Sequence, residues 1–258
     1  MSLARVTPVI LTLNEAPNLA RTLANLAWAE RIVVVDSFSD DATCEIARAD
    51  PRVALFQRRF DTHAQQWNYA IAETAVATPW ILALDADYQV TPQAAREIER
   101  RLDEVGVAAF RARFRYCVAG RALRGAAYPP VTVLFRAGAG RYEQDGHTQR
   151  LAVQGVIADL EQPLLHDDRK PLSAWLAAQV RYARLEAEKL AAAPFAALGP
   201  ADKLRRTLVL AAPAMLLYCL FVKGNVLDGR AGLFYAGQRT LVEIMLALFL
   251  IERGFSSA

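Results

Sequence analysis

The sequence predicts an α/β fold: a mixed, mainly parallel sheet flanked by helices, followed by an apolar helical extension at the C-terminal end. Three observations predict it. Short continuous apolar runs recur through the first hundred residues, helix-spaced leucines and alanines lie between them, and the tail holds long, almost wholly apolar stretches.

Val6–Leu13 and Arg31–Asp36 are runs of the kind buried on both faces of a parallel sheet. Between them Pro17 suits a first helical turn, and Leu19, Leu23 and Leu26 recur at spacings of four and three. Asp40 or Asp41 is placed to cap a second helix through Ile46 and Ala47. Val53–Phe56 then reads as a strand, Thr62–Ala77 as a helix and Trp80–Asp85 as a strand ending in acid. Thr91-Pro92 starts another helix, carried on by Ala95, Ile98, Leu102 and Val105. After Gly106 the pattern turns to alternation over Ala109–Tyr116, with Phe110, Ala112, Phe114 and Tyr116 on one face and Arg111, Arg113 and Arg115 on the other. A Gly/Pro-rich loop (Gly120 to Pro130) leads to a strand at Val131–Phe135. Leu172–Leu190 is a long amphipathic helix, and Ala191–Pro200 reads as a break.

In the tail, Thr207–Val222 is interrupted by Pro213, and Thr240–Ile251 holds Glu243. Each is shorter than the roughly twenty apolar residues that span a bilayer. Lys203, Arg205, Arg206, Lys223, Arg230 and Arg239 flank them. Apolar helices with a basic rim predict contact with an anionic membrane surface; packing on the α/β domain or on a second copy is the alternative.

With 258 residues the chain can bury a sizeable core, and 54% hydrophobic against 22% charged residues excludes a disordered class. A formal charge of +3 gives no argument for nucleic acid, although Arg169 to Arg239 holds eleven Lys/Arg against four Asp/Glu. Three cysteines, odd in number and outside any CxxC spacing, argue against a disulfide framework and fit a reducing compartment. The run Val6–Leu13 lacks the flanks of a signal peptide, so a cytoplasmic protein is expected.

Ligands of open α/β sheets bind beyond the carboxyl ends of the strands. Three ends here are polar: Thr12-Leu13-Asn14-Glu15, Asp36-Ser37-Phe38-Ser39-Asp40-Asp41 and Asp85-Ala86-Asp87. One such aspartate can simply cap the next helix; three in succession point to a cleft. Paired carboxylates suit Mg²⁺ or Mn²⁺, which share their shell with substrate phosphates. That chemistry serves a nucleoside-diphosphate leaving group, whose negative charge grows as the bond breaks. No GxGxxG, GxxxxGK[ST] or GxSxG is present.

Taken in order, Leu11 to Glu15, Val33 to Ser37 with Ser39, Asp40, Asp41 and Thr43, Gln66-Trp67-Asn68 and Leu84 to Asp87 resemble the motifs of family-2 GT-A glycosyltransferases. More narrowly, the chain is similar to lipopolysaccharide-core β-glucosyltransferases, also in His166, Leu172-Ser173, Arg181-Tyr182 and Leu227-Asp228-Gly229-Arg230-Ala231-Gly232. The resemblance runs from Val6 to about Gly237. It implies a GT-A fold, with a catalytic domain over 1–170 (donor half 1–105, acceptor half 106–170) and a helical region over 171–258. It further implies inverting, metal-dependent transfer of a hexose, from a UDP-sugar to a lipid-linked or lipopolysaccharide-type glycan at the inner face of the cytoplasmic membrane.

By the same resemblance Thr12, Leu13, Asn14 and Glu15 line the nucleoside site with Ser39 and Asn68, and Asp36 binds the base. Asp85, Ala86 and Asp87 hold ribose, metal and diphosphate. His166 is a third metal or diphosphate contact, or else a capping or core histidine. Two positions depart from the family pattern: Tyr88 stands where a further acid is usual, and Trp67 where a basic residue is common. Arg111, Arg113, Arg115 and Arg121 either meet a diphosphate or phosphorylated acceptor or form a solvated face. In the acceptor loop, Tyr142-Glu143-Gln144-Asp145-Gly146-His147-Thr148-Gln149, the acid precedes the histidine. Asp145 is the expected general base, with Glu143 as the alternative, because Gly146 lets the loop approach substrate closely. A sugar nucleotidyltransferase would be expected to begin with a Gly-rich basic loop, which Thr12–Glu15 is not. An inactive transferase-fold scaffold is opposed by the intact Asp85/Asp87 pair.

Overall fold

A computed structural model describes residues 3–74, 76–145 and 148–256. The chain divides into two compact units: Met1–Cys117 with Tyr128–Arg169, and Val118–Ala127 with Lys170–Ala258.

The first unit begins as strand–helix alternation: β1 (Val6–Thr12), α1 (Ala16–Asn25), β2 (Ile32–Asp36), α2 (Thr43–Ala49), β3 (Val53–Gln57), α3 (His63–Ala72) and β4 (Trp80–Asp85). β5 (Tyr88–Gln89) and α4 (Pro92–Arg101) follow, then β6 (Val107–Ala112) and β7 (Phe114–Val118). β8 (Arg121–Ala122) lies in the second unit. The first resumes with β9 (Val131–Arg136), the hairpin β10 (Gly140–Asp145) and β11 (Thr148–Val153), β12 (Val156–Asp159) and β13 (Leu164–His166).

Seven strands form the main sheet in the order β12-β6-β9-β4-β1-β2-β3. β1 pairs in parallel with β2 and β4, and β2 with β3, while β9 runs antiparallel between β4 and β6. The sheet is therefore mixed and mainly parallel on its donor side, the class the apolar runs predict. Successive side chains of a strand point to opposite faces, and two cores result. Ile10, Val34, Leu82 and Leu84 pack with Leu19 and Leu23 of α1 and Ile98 of α4. Val9, Val33, Val35 and Ala83 pack with Trp67 of α3 and Tyr142 of β10. At roughly 2 kcal/mol for each fully buried Val, Leu or Ile, these layers fix the register that puts β1, β2 and β4 level at their carboxyl ends.

The alternating stretch Ala109–Tyr116 is two strands, not one. Chain direction changes at Arg113: β6 stays in the main sheet, whereas β7 pairs with β13, which in turn pairs antiparallel with β5. Arg111 meets Asp159 of β12 at 2.7 Å and Arg113 donates to the Glu161 carbonyl, so both meet strand neighbours. α3 ends at Ala72, five residues short of the expected Ala77.

The second unit holds α5 (Leu172–Ala192), α6 (Pro200–Arg205), α7 (Ala211–Leu217), a π-helical turn over Tyr218–Val222 and α8 (Arg230–Ser256). Gly232 and Gly237 do not interrupt α8, which is thus far longer than the apolar run Thr240–Ile251 and, by length and composition, long enough to cross a membrane. Residues Val118–Ala127, expected within the acceptor half, group with this tail because Asp228 accepts from Arg124 N, Asn225 donates to the Gly125 carbonyl and Tyr235 accepts from Ala127 N.

Candidate active site

The turns after β1 and β2 are stitched together by short polar side chains. Asn14 N donates to Ser39 Oγ at 2.8 Å, Asp40 N to Asn14 Oδ1 at 3.0 Å, Glu15 N to Thr43 Oγ1 at 2.8 Å, and Ala16 N to Asp41 Oδ2 at 3.1 Å. Two residues here take left-handed backbone, Asn14 (φ 56°) and Phe38 (φ 64°). Asparagine tolerates that region; for phenylalanine it costs roughly 1–2 kcal/mol, and such strain concentrates at functional sites. Leu13 and Phe38 stay about half exposed in these turns.

Asp36 is the knot that holds them. It has no exposed surface, and its Oδ1 accepts from Thr12 Oγ1 (2.9 Å) and Ser39 Oγ (2.5 Å) while Oδ2 accepts from Ser39 N (2.9 Å). Burial pushes its pKa up, but the bonds from Ser39, Cys44 and Thr12 outweigh burial and hold it below the ordinary carboxylate value. The Cys44 thiol is pushed up to about 11 by its own burial and by Asp36. All three cysteines are free and buried.

Asp85 ends β4 beside Leu11 of β1, with Ala86 buried behind it and its carbonyl bound by Thr22 Oγ1 at 2.5 Å. The chain then turns into β5, whose antiparallel pairing sets Tyr88 opposite His166. That register brings His166 Nε2 to 3.1 Å from Asp87 Oδ2. Burial lowers the histidine's pKa, but Asp87, with Asp85 and Asp168 behind it, reverses this and raises it. His166 Nδ1 is buried with no hydrogen-bond partner among the described residues. Rings of Tyr88, Phe114, Tyr116 and Tyr128 surround the imidazole, with Tyr116 and Tyr128 centroids at 4.6 and 4.8 Å. Tyr88, standing where an acid was expected, places its hydroxyl 2.6 Å from that of Tyr128.

Sequence reasoning missed a second cluster just behind this one. Asp167, 5% exposed, receives Arg21 Nη1 at 2.7 Å and Arg169 Nε at 2.8 Å, and its amide donates to the Asp87 carbonyl at 3.0 Å. Asn18, fully buried, donates to Glu15 Oε2 (2.8 Å) and Asp168 Oδ1 (2.9 Å) and accepts from Arg169 N (2.8 Å) and Arg21 Nη2 (3.0 Å). The run Asp167-Asp168-Arg169 after the histidine was the available signal.

Of the remaining predicted residues, Asn68 is committed elsewhere. Its Nδ2 donates to the Tyr142 carbonyl and its Oδ1 accepts from Tyr142 N, both at 2.9 Å, so the amide clamps β10. Trp67 is core, 2% exposed and stacked on Tyr142 at 5.3 Å. Glu143 and Asp145 are exposed on one face of β10, with Tyr142 buried and Gln144 binding Ala64 N on the other. Gly146 and His147 lie outside the described residues.

Solved structures of S. aureus TarS are among those with a similar fold. Its residues 1–349 match with 13% identity and a TM-score of 0.51, over 98% of this chain and 92% of that one. The same fragment in complex with UDP-GlcNAc matches with 14% identity and a TM-score of 0.50, over 100% and 92%. At such identity the likeness is one of fold. The model of the family described as Glycosyl transferase family 2 matches residues 7–150, which span β1 through the hairpin and include both strand-end turns and the acidic triplet. The chain belongs to glycosyl transferase family 2 and carries its GT-A fold.

Proposed function

We propose that the chain transfers a hexose, with inversion, from a nucleotide sugar of the UDP type to a lipid-linked or cell-envelope glycan. The observation that carries this reading is the acidic triplet at the end of β4, brought by the β5–β13 pairing to within 3.1 Å of a partly buried imidazole. Crystals of a protein of the same fold with UDP-GlcNAc agree with the choice of donor.

The residues present fit a divalent cation. No group of three or more His, Cys, Asp or Glu among the described residues is placed to hold a metal alone. An Mg²⁺ or Mn²⁺ site takes one or two carboxylates and fills its shell from substrate phosphates. Asp87 would bind the ion, with Asp85 on ribose or a metal water and His166 as a further contact whose second nitrogen has no hydrogen-bond partner among the described residues. When bound, the ion offsets the charge that grows on the departing diphosphate.

The chain's own residues do the rest. Thr12, Asn14, Glu15 and Ser39, fixed around Asp36, shape the nucleoside end. Asp145 serves as base: the acceptor oxygen attacks the anomeric carbon, the carbon–oxygen bond to the diphosphate breaks, UDP leaves, and the hydroxyl proton passes to the Asp145 carboxylate. The three free, buried cysteines suit a reducing, cytoplasmic setting. Release of UDP from a panel of UDP-sugars, with and without Mn²⁺, tests the reading; release from none of them sinks it, and pyrophosphate formed from a nucleoside triphosphate favours a nucleotidyltransferase.

A further inference from the structure

In the second unit two carboxylates are buried while several large aliphatic side chains are exposed. Glu243 of α8 is 2% exposed and takes Arg205 Nη2 at 2.9 Å. Asp228, also buried, accepts from Arg124 N and from Asn225 Nδ2. On the outer stripe of the same helix Leu233, Ile244 and Leu248 are 55%, 43% and 60% exposed. One helical turn apart before it, Leu217 and Phe221 are 56% and 65% exposed. A helix facing water shows the reverse pattern, and a patch of this kind marks an apolar partner.

We infer that this face lies in the headgroup layer of an anionic bilayer, with its helices parallel to the surface. Charge selects the partner. Lys203, Lys223 and Arg230 meet no carboxylate among the described residues, while the acids nearest them in sequence, Asp202, Asp228 and Glu243, are already engaged by Arg205, Arg124 and Asn225. A second copy docked face to face would set these cations against themselves with the neighbouring acids already taken, whereas phosphate headgroups supply the missing charge. Lys223 Nζ sits 5.1 Å over the Tyr218 ring, an aromatic–cation pair suited to that layer.

Packing decides between lying and spanning. The C-terminal half of α8 rests on α5: Leu246 joins Ala187 and Leu190, the Arg184 guanidinium covers the Phe249 ring at 5.8 Å, and Arg253 reaches Glu188 at 3.6 Å. α5 carries Arg181, Arg184, Glu186, Glu188 and Lys189 and belongs in water, so the helix bound along it cannot cross the hydrocarbon.

The test is co-sedimentation of the full chain with vesicles of phosphatidylcholine alone or mixed with phosphatidylglycerol. Donor and metal are left out, so the outcome is independent of the transfer reaction. Binding to the mixed vesicles, weakened by salt, is expected. Lys223→Glu with Arg230→Glu should weaken it by at least about 25-fold, roughly fivefold for each cation removed, and Leu217→Ser with Phe221→Ser should abolish it while thermal melting stays cooperative. No preference for anionic vesicles, or unchanged binding in both folded double variants, overturns the inference. So does concentration-dependent self-association that the apolar variant removes, since the face then joins two copies. Were the apolar variant unfolded, the charge variant and the salt series carry the same decision.

Discussion

Asp36 and Asp50 are carboxylates whose charged form the fold favours, for different reasons. At Asp36 hydrogen bonds from Ser39 and Thr12 overcome burial; at Asp50 the Arg52 guanidinium does most of the work, its Nη1 also closing on the Leu26 carbonyl at the end of α1. Both pKa values are depressed in the folded state, so their contribution is fully present above the unfolded value near 4 and is lost as pH falls through the folded one. The stability these two carboxylates supply is therefore expected to be level from about pH 7 to 5 and to drop below about pH 4. The raised pKa of His166 supplies stability that is lost as pH rises through it. Asp36→Asn should cost about 2 kcal/mol at neutral pH and flatten that drop; a melting series across pH checks both. On the reacting side, Asp145→Asn should lower kcat by about 10²–10⁴-fold with Glu143→Gln near normal. The opposite pattern in steady-state assays reassigns the base to Glu143.

The residue scale also shows what a sequence reveals. Asp85 and Asp87 were legible because an acid at the end of a buried apolar run has few reasons to be there. The partnership of Asp87 with His166 was not, since it depends on β5 pairing with a strand some eighty positions later. Asn18 and Arg21 read only as polar positions on α1, because nothing local says that Asp167 and Arg169 come to meet them.

Among elements, local pattern located nearly every strand and helix of the donor side, where one periodicity governs each segment. It failed where tertiary pairing overrides periodicity: Ala109–Tyr116 keeps its alternation through a change of sheet at Arg113, and α3 stops early. Asn68 was legible as a motif, but its bonds to Tyr142 were not. Removing its amide in Asn68→Ala strands both Tyr142 backbone groups and should cost about 2–3 kcal/mol. Faster proteolysis within the hairpin β10–β11, ahead of global unfolding, is the measurable sign. Gly229 and Gly232 resemble family motif positions and have a structural use. Gly229 holds φ 60° ahead of α8, and a Cβ on Gly232 would stand 1.9 Å from the Asn225 carbonyl oxygen. Gly232→Ala must displace backbone, so a loss of at least about 3 kcal/mol is expected, read as a lower melting temperature of the tail's helical signal.

For the molecule as a whole, a family-2 transferase domain is followed along the chain by a helical unit that buries Glu243 and exposes Leu217, Phe221 and Leu248. Sequence located the apolar tail and its basic rim. It did not show that residues 118–127 belong with that tail, because three backbone contacts to Asp228, Asn225 and Tyr235 make the association. We propose that Asp87, with Asp85 and His166, holds the donor diphosphate through a divalent ion. Calorimetric titration of UDP into the wild type and Asp87→Asn, each with and without Mn²⁺, tests it most directly. Mn²⁺ should tighten UDP binding at least about tenfold in the wild type, and the gain should vanish in a variant that melts normally. Equal UDP affinity with and without Mn²⁺, or an undiminished gain in Asp87→Asn, would contradict it.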